Sequence, residues 1–415
     1  MLLPVSMLAV ALRPQSPTAP TFEFGGSLRE RYERVDPARF GAGPQDDDGY
    51  FLHRALLHGS WGEGRDVHAF AELQAAFVTD RTGGPRSTDE DRCDLHQAWL
   101  DVRARPDGDA TVTTRIGRSE VAYGSQRLVS VREGPNVRLA FDGARVMLRD
   151  GEWKLDAFVL RPVEVDPGEF DDADLDQTLF GAYATLPVLP AGGVDVYCLA
   201  LHRADAQFEQ GIANERRWSV GARVFGKPRP WDYDCEAVWQ AGRWGNGGIA
   251  AWTVATDVGL TLALPTAPRL GLKVDVASGD RDPGTDSLQT FHALFPRGSY
   301  FGEPALIGPA NLFDVHPSLA FAVADAVRLS VDADWFWRQS TADGVYGAGL
   351  TPLRPGAASA RRYVGNQLQV SCECTLRAGW TATFVWARFF SGSWLDDTGA
   401  GDDVDYLGIW TTVRF

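Results

Sequence analysis

The chain has 415 residues, of which 44% are hydrophobic and 23% charged, and it carries a formal net charge of −15. A mean hydropathy of −0.19 is too low for a helical membrane protein, in which each span takes about 20 apolar residues. The composition also excludes a collagen-like, disordered or disulfide-framework chain, and the acidic balance argues against nucleic-acid binding.

The N-terminus carries a short apolar run over residues 2–12, LLPVSMLAVAL, which is followed by the small and turn-forming residues SPTAP. A short apolar run before small residues is typical of a secretory signal peptide, although the basic Arg13 follows the run instead of preceding it. We therefore expect residues 1–20 to be a signal peptide or a disordered N-terminus, and residues 21–415 to form one domain.

From residue 22 onwards the chain divides into short segments of alternating polar and apolar character, separated by Gly, Pro, Asp and Asn. This pattern predicts β-strands, and we find no amphipathic helix of convincing length. The predicted strands, eighteen in number, are 22–35, 50–60, 65–79, 94–105, 111–118, 138–149, 152–161, 177–188, 194–203, 215–225, 231–243, 248–264, 269–277, 312–323, 326–338, 361–374, 377–390 and 404–415.

The connections between these strands alternate between long and short, with one exception near Trp244–Gly247. A soluble sandwich has no reason to alternate in this way, whereas an outer-membrane barrel has tight periplasmic turns on one side and long outer loops on the other. A closed barrel also pairs its backbone groups without an edge, so it can lie in lipid. The sequence therefore predicts an all-β fold, a transmembrane antiparallel β-barrel of about 18 strands in the outer membrane.

The first and last strands show the two-residue alternation of such a barrel. Phe22, Phe24, Leu28 and Tyr32 share one face of the first strand, and Arg29 and Arg31 share the other. The last strand places Leu407, Ile409, Thr411, Val413 and Phe415 on one face and Tyr406, Trp410, Thr412 and Arg414 on the other. A terminal aromatic residue such as Phe415 is the signal by which the barrel-assembly machinery engages many outer-membrane barrels.

The tryptophans provide a further indication of membrane interfaces, where aromatic residues form girdles. The alternative is that they are core residues of a soluble β protein. The tryptophans that we expect near strand ends are Trp61, Trp99, Trp153, Trp231, Trp394 and Trp410.

Arginine dominates the basic residues, because only Lys154, Lys227 and Lys273 are lysines among 40 Lys and Arg. An arginine facing lipid at mid-depth costs about 2–4 kcal/mol, so strand arginines are expected to face the pore. Guanidinium groups in a pore attract anions and bind carboxylates in a bidentate manner. Strand position and alternation select Arg29, Arg31, Arg54 and Arg161 as pore-lining candidates. The alternative is that the arginines pair with lumenal carboxylates in a closed network.

Acidic runs fall in the predicted outer loops. Runs of this kind suit Ca²⁺, although no twelve-residue calcium loop is present, and the alternative is that they are only solvated. No other cofactor or metal site is indicated. The runs are Asp46–Asp48, Asp89–Asp91, Asp171–Asp172 and Asp402–Asp403.

Several motifs resemble those of the alginate export family of outer-membrane barrels. They are RLAFDGARVML (138–148), GRSEVAYGSQRL (117–128) with Pro135-Asn136, ASGDRDPGTDSLQTFHALFPRGSYFGE (277–303) and GNQLQVSCECTLRAGWTATFVWARFFSGSWL (365–395). The resemblance extends from about residue 22 to residue 415.

The resemblance implies a monomeric eighteen-stranded barrel that exports a polyuronate through an Arg-rich lumen. It points to Arg118, Arg127, Arg138, Asp142 and Arg145 as pore or selectivity residues, and to loop 278–311 as a lid over or inside the mouth.

We therefore predict an outer-membrane channel for passive passage of an anionic, uronate-type oligo- or polysaccharide, with the lipid bilayer as its other partner and no nucleic acid. Two alternatives are an anion-preferring porin for small solutes and a plugged barrel that anchors or binds. An enzyme is disfavoured, although a carboxylate pair such as Asp142 and Asp156 is the type of pair that cleaves glycosides.

Overall fold

The computed structural model describes residues 20–42, 49–63, 66–106 and 109–415. The predicted signal peptide lies almost entirely outside these residues, as does the acidic run Asp46–Asp48. No helix in the described part of the chain is long and apolar enough to cross a membrane.

Eighteen long strands follow one another across the described residues, confirming the predicted fold. They are β1 Thr21–Asp36, β2 Tyr50–Glu63, β3 Val67–Thr79, β4 Asp91–Ala104, β5 Thr111–Ser119, β6 Phe141–Asp150, β7 Trp153–Glu164, β8 Gln177–Leu189, β9 Gly192–Phe208, β10 Gly211–Gly226, β11 Trp231–Trp244, β12 Gly247–Thr261, β13 Arg269–Ala277, β14 Leu312–Ala324, β15 Val327–Arg338, β16 Tyr363–Arg377, β17 Trp380–Ser391 and β18 Val404–Arg414.

Four short strands, two 3-10 helices and one α-helix belong to the connections in the described part. They are the strands Asp172–Ala173, Ser287–Leu288, Val345–Tyr346 and Pro352–Arg354, the 3-10 helices Ala38–Gly41 and Gly356–Ala358, and the α-helix Ser393–Thr398.

The long strands form a closed antiparallel barrel, because each pairs with its neighbours in the chain and β18 pairs with β1. The closing seam runs from Ser27 opposite Arg414 to Asp36 opposite Asp405. The backbones of Gly26 and Phe415 extend it by two hydrogen bonds of 2.9 and 3.1 Å. Closure removes the sheet edge, which is the condition for placing strands in lipid.

The two faces of the wall differ as the alternation predicts. On β1, Phe24 is 81% exposed on the outward face, whereas Arg29 and Arg31 are buried on the lumen face. On β7, Val159 is 58% exposed and its neighbour Leu160 is buried. The apolar outward faces form the lipid-facing surface.

The tryptophans fit the girdle prediction only in part. Trp153 and Trp231 are exposed at the periplasmic ends of their strands, and Trp61 lies opposite the outward-facing Phe22. In contrast, Trp99 and Trp410 face the lumen, where arginine guanidinium groups cover their rings at 3.4 and 4.4 Å. Trp394 is fully buried in the short α-helix. Strand position alone cannot separate girdle residues from partners of lumenal arginines.

The outer side has two short connections instead of the single predicted exception. Glu209-Gln210 joins β9 to β10, and Gly245-Asn246 joins β11 to β12. The predicted strands 194–203 and 215–225 left residues 204–214 as a longer connection at the first of these places. The strands stay paired there because Ala206 and Phe208 are buried on the lumen side.

Loops 120–140 and 278–311 fold into the barrel. They meet at a parallel bridge between Val129 and Phe295, and the residues around Phe291 and Leu294 are buried against the wall. Together with inward side chains of β6 to β13 they form an apolar core inside the barrel. Loop 278–311 is therefore an internal element of the lumen.

A prediction on the lipid face follows from this orientation. Val159→Arg should lower the free energy of unfolding by about 2–4 kcal/mol, because it places a charge at mid-depth in lipid. Urea unfolding in lipid vesicles, followed by tryptophan fluorescence, measures the change. Thr383→Arg is the matched control, since Thr383 faces an internal cavity; an equal loss in both variants would contradict the assignment of faces.

Candidate permeation pathway

The lumen is asymmetric, with polar cavities opposite the apolar core. The inner cavity, about 510 Å³, lies towards the periplasmic strand ends, where Arg328, Glu373 and Arg414 contribute to its lining. The outer cavity, about 350 Å³, lies towards the long loops, where Arg81 and Arg132 contribute to its lining.

The two cavities share four lining residues: Arg31, Gly134, Ser299 and Glu303. We call this set the junction. It combines one wall residue from β1 with residues of both inward-folded loops. These four residues mark the place where the two cavities adjoin.

Arg31 is the charge at the junction, and three groups hold it. Its guanidinium forms an ion pair with Glu303 at 3.1 Å, donates to the Tyr406 hydroxyl at 2.9 Å and contacts Glu33. Tyr50 in turn donates to Glu33 at 2.6 Å. The Arg31 guanidinium therefore carries two carboxylate partners and is fixed in position.

Wall arginines also hold loop 120–140. Arg29 donates to the backbone carbonyls of Glu133 and Pro135 at 2.8 and 2.9 Å, and Arg54 contacts the Glu133 carboxylate. Burial opposes ionisation of Glu133, but Arg54 and Arg138 hold its pKa below the usual range. The carboxylate stays charged and fastens the loop to β1 and β2.

Asn136 provides a second anchor for the same loop. Its side chain is completely buried, and its amide donates to the carbonyls of His53, Phe77 and Asp89 at 3.0, 3.2 and 2.9 Å. One side chain thus satisfies backbone groups from β2, β3 and an outer loop. The Pro135-Asn136 pair that the family resemblance singled out has this structural role here.

Loop 278–311 is anchored where it reaches the junction. Gln367 donates to the Phe301 carbonyl at 3.1 Å, and the Glu303 amide donates to Gln369 at 2.9 Å. Gly302 has φ +144, and a Cβ there would lie 2.2 Å from Gln367. The close approach to β16 therefore requires glycine.

Six of the nine predicted site residues reach the lumen. Arg29, Arg31, Arg54 and Arg145 do so from the wall, and Arg127 and Arg138 from loop 120–140. Most of them are neutralised: Arg145 pairs with Asp156 at 2.9 Å and Arg138 with Glu120 at 2.7 Å. Arg127 contacts Tyr300, Asp234 and Glu236 at 2.9, 2.7 and 3.3 Å.

The other three, Arg118, Asp142 and Arg161, occupy outward positions in the alternation near the outer rim, although Arg118 also lines a cavity of about 290 Å³ together with Arg132 and Arg138. They stand opposite one another in register on β5, β6 and β7. Each lies two residues along its strand from a residue that faces outward. Arg118, for example, lies two residues from Ile116, which is 63% exposed. Arg118 and Asp142 form a bidentate pair near the outer rim.

The sequence interpretation did not select several of the arginines that line the cavities. Arg132 and Arg297 on the loops, with Arg328 and Arg414 on the wall, line the cavities, and among the described residues their guanidinium groups have no carboxylate partner. Burial lowers the pKa of Arg132 to about 10, so it remains charged at neutral pH. Arg328 and Arg414 were noted only by their positions on strands, and loop positions carry no alternation that would reveal Arg132 and Arg297.

Two groups of side chains in the described part have metal-ligand chemistry: Glu72, His96 and Glu120, and Asp91, Asp94 and Asp171. In the first group His96 and Glu120 are already hydrogen-bonded at 2.8 Å. The second joins two of the predicted acidic runs.

Burial raises the pKa of Asp171 to about 7, and the nearby carboxylates of Asp91 and Asp94 contribute to this rise in the pKa. The predicted acidic run Asp402–Asp403 belongs to neither of these two groups, and Asp403 forms an ion pair with Arg388 at 3.2 Å.

A sequence profile of the alginate export family matches residues 21–407. The chain belongs to this family. Together with the barrel fold, this makes it an outer-membrane channel protein. Among curated proteins, none matches the sequence of this family member.

Solved structures share the fold at low sequence identity. OccD3 (OpdP) of Pseudomonas aeruginosa superimposes with a TM-score of 0.63 at 13% identity, covering 99% of this chain and 96% of its own. The outer membrane protein OpdK of the same organism superimposes with a TM-score of 0.62 at 11% identity, and the match covers 95% of this chain and 99% of OpdK. The structure of OpdK with vanillate superimposes with a TM-score of 0.60 at 11% identity, and the match covers 95% of this chain and 98% of that chain.

Removal of the Asn136 anchor should loosen loop 120–140 of this alginate export family member. Asn136→Ala leaves buried carbonyls without donors, which should cost about 1–3 kcal/mol of stability and raise both the conductance and the noise of the open channel. Single-channel recording and urea unfolding measure these effects. Asn366→Ala is the control, because the Asn366 side chain accepts a hydrogen bond from the nearby Tyr363 hydroxyl at 2.7 Å and does not hold loop 120–140. Identical traces for Asn136→Ala and the unmodified protein would contradict the anchoring role.

Proposed function

We propose that the protein conducts an anionic, uronate-type oligo- or polysaccharide across the outer membrane by passive diffusion. The proposal rests on arginines on both sides of the junction that have no carboxylate partner within the described part of the chain: Arg132, Arg297, Arg328 and Arg414. They give the polar half of the lumen a local positive charge although the chain is acidic overall. A polyuronate presents carboxylates at regular intervals along its length.

The proposed mechanism depends on several weak contacts and no covalent step. A carboxylate entering one cavity gains charge-assisted hydrogen bonds from an unpaired guanidinium. Because these arginines are separated along the pathway, each contact can be exchanged for the next. Conduction requires binding that is favourable enough for entry and weak enough for release. The protein in this proposal acts as a channel and not as an enzyme.

A second candidate is an anion-preferring porin for the uptake of small solutes. The Arg31–Glu303 pair at the junction favours it, since a small carboxylate needs less room beside this pair than a polymer does. OpdK, which has the same fold, is solved with vanillate, and vanillate is a small carboxylate. Direction of transport separates the two candidates, and so does the length of uronate oligomer that crosses.

Neutralising three unpaired arginines should remove the anion preference. We expect Arg297→Gln, Arg328→Gln and Arg414→Gln combined to lower the anion-to-cation permeability ratio by about fivefold or more, since one charge contact of about 1 kcal/mol in water is equivalent to a factor of that size. Reversal potentials in planar bilayers under a salt gradient measure the ratio. Added polyuronate should reduce the current of the unmodified protein and affect the triple variant less.

Arg161→Gln is the matched control for this experiment, because Arg161 lies on the outward face and should leave the permeability ratio unchanged. A cation-selective unmodified channel, or one that polyuronate does not affect, would rule out the arginine-lined pathway. Uronate monomers that cross while oligomers do not would favour the small-solute porin.

The junction should respond to the loss of one carboxylate. Glu303→Gln removes a charge partner of Arg31 while keeping the side-chain size, so we expect higher anion selectivity and stronger block by uronate. The same bilayer measurements apply. Glu373→Gln makes the same charge change in the inner cavity without touching Arg31, and it should have the smaller effect; a larger effect at Glu373 would argue against the junction as the selective point.

A further inference from the structure

Three carboxylates meet at the outer end of β4. Asp91 and Asp94 come from the strand and Asp171 from loop 165–176, and oxygen atoms from all three lie within 4.8 Å of one another. Asp91 and Asp94 are each 1% exposed and Asp171 is 8% exposed. Like charges gathered in a buried place repel strongly unless a cation or a proton compensates them.

Neighbouring groups compensate this charge only in part. The amides of Leu95 and Asp171 donate to Asp94, and the Asp166 amide donates to Asp171 at 2.8 Å. The adjacent cation is Arg118, 4.0 Å from Asp94. Its guanidinium is already in a bidentate pair with Asp142 at 2.9 Å, so the cluster retains excess negative charge.

Gln74 supplies an independent sign of a missing partner. It is 1% exposed, its amide nitrogen donates to Asp91 at 2.9 Å, and its amide oxygen has no hydrogen-bond partner. Buried acceptors are nearly always satisfied. The oxygen and nitrogen of a glutamine are assigned from the hydrogen-bond network. With a cation beside Asp91, a half-turn of the Gln74 amide would point its oxygen into the cluster, where the oxygen would bind the cation.

We propose that Asp91, Asp94, Asp171 and the Gln74 amide oxygen bind one hard divalent cation of the Ca²⁺ type. Carboxylate and amide oxygens are the ligands that Ca²⁺ prefers, and the set contains neither the imidazole nor the thiolate that favours zinc. The site joins loop 165–176 to β3 and β4. The bound cation fastens this loop to the outer rim of the barrel.

Titration calorimetry on the full chain, refolded in detergent and stripped with EDTA, tests the proposal. We expect one Ca²⁺ per barrel and a higher unfolding temperature with Ca²⁺ than with EDTA, because a ligand that binds only the folded state stabilises it. No saturable Ca²⁺ binding at one site, or binding of Zn²⁺ but not Ca²⁺, would overturn it.

Variants assign the site. Asp94→Asn and Asp171→Asn should abolish the Ca²⁺ heat and the temperature shift, and Gln74→Leu should weaken binding by about tenfold, the equivalent of about 1.4 kcal/mol. Asp172→Asn, the exposed neighbour of Asp171, should bind as the unmodified protein does. Heat-modifiable electrophoretic mobility verifies that each barrel is folded. If Asp94→Asn fails to fold, Asp171→Asn decides, and unchanged Ca²⁺ binding in that variant would refute the site.

Discussion

The architecture of the lumen depends on hydrogen bonds from wall side chains to the backbones of the two loops that enter it. A chain segment inside a closed barrel has lost water on much of its surface, and its amide and carbonyl groups need other partners. Arg29 supplies them for loop 120–140, and Gln367 and Gln369 supply them for loop 278–311. Asn136 makes the reverse contact, because this loop residue donates to wall carbonyls such as that of His53. With both loops fixed, the apolar core can form on one side and polar cavities remain on the other.

This constraint explains why the abundance of arginine gives little information about the charge of the pathway. A wall arginine with its carboxylate, such as Arg223 with Asp195 at 2.7 Å, stabilises the barrel and contributes no net charge. Buried guanidinium groups also serve as donors to carbonyls, as Arg338 does towards Asp343 and Gly356. In the proposed pathway, the positive charge comes from the few arginines that have no carboxylate partner among the described residues, two of which lie on loops.

The sequence predicted those features that depend on local periodicity. Alternation separated Phe24 from Arg29 and identified the strands, because each residue's face depends only on its neighbours along the strand. The alternation places Arg118, Asp142 and Arg161 at outward positions of their strands, since Arg118 is two residues from the exposed Ile116. Arg118 nevertheless lines a cavity together with Arg132 and Arg138, so alternation alone does not decide where a long side chain near the rim ends. Arg132, Arg297 and Glu303 could not have been found, because their positions depend on contacts between loops distant in sequence. The meeting of Asp171 with Asp91 is of the same kind.

The proposed pathway has charged groups in fixed positions at the junction. Glu303 cannot move far from Arg31, because the backbone on both sides of Gly302 is bonded to β16. Arg31 is held from the other side by Glu33 and Tyr406. A passing carboxylate therefore competes with two resident carboxylates for one guanidinium, and its contact there is weaker than at Arg132 or Arg297. Strong attraction in the cavities, with a weaker contact between them, allows an anion to enter the pathway and still leave it. A single unpaired arginine at the junction would hold the anion and prevent its release.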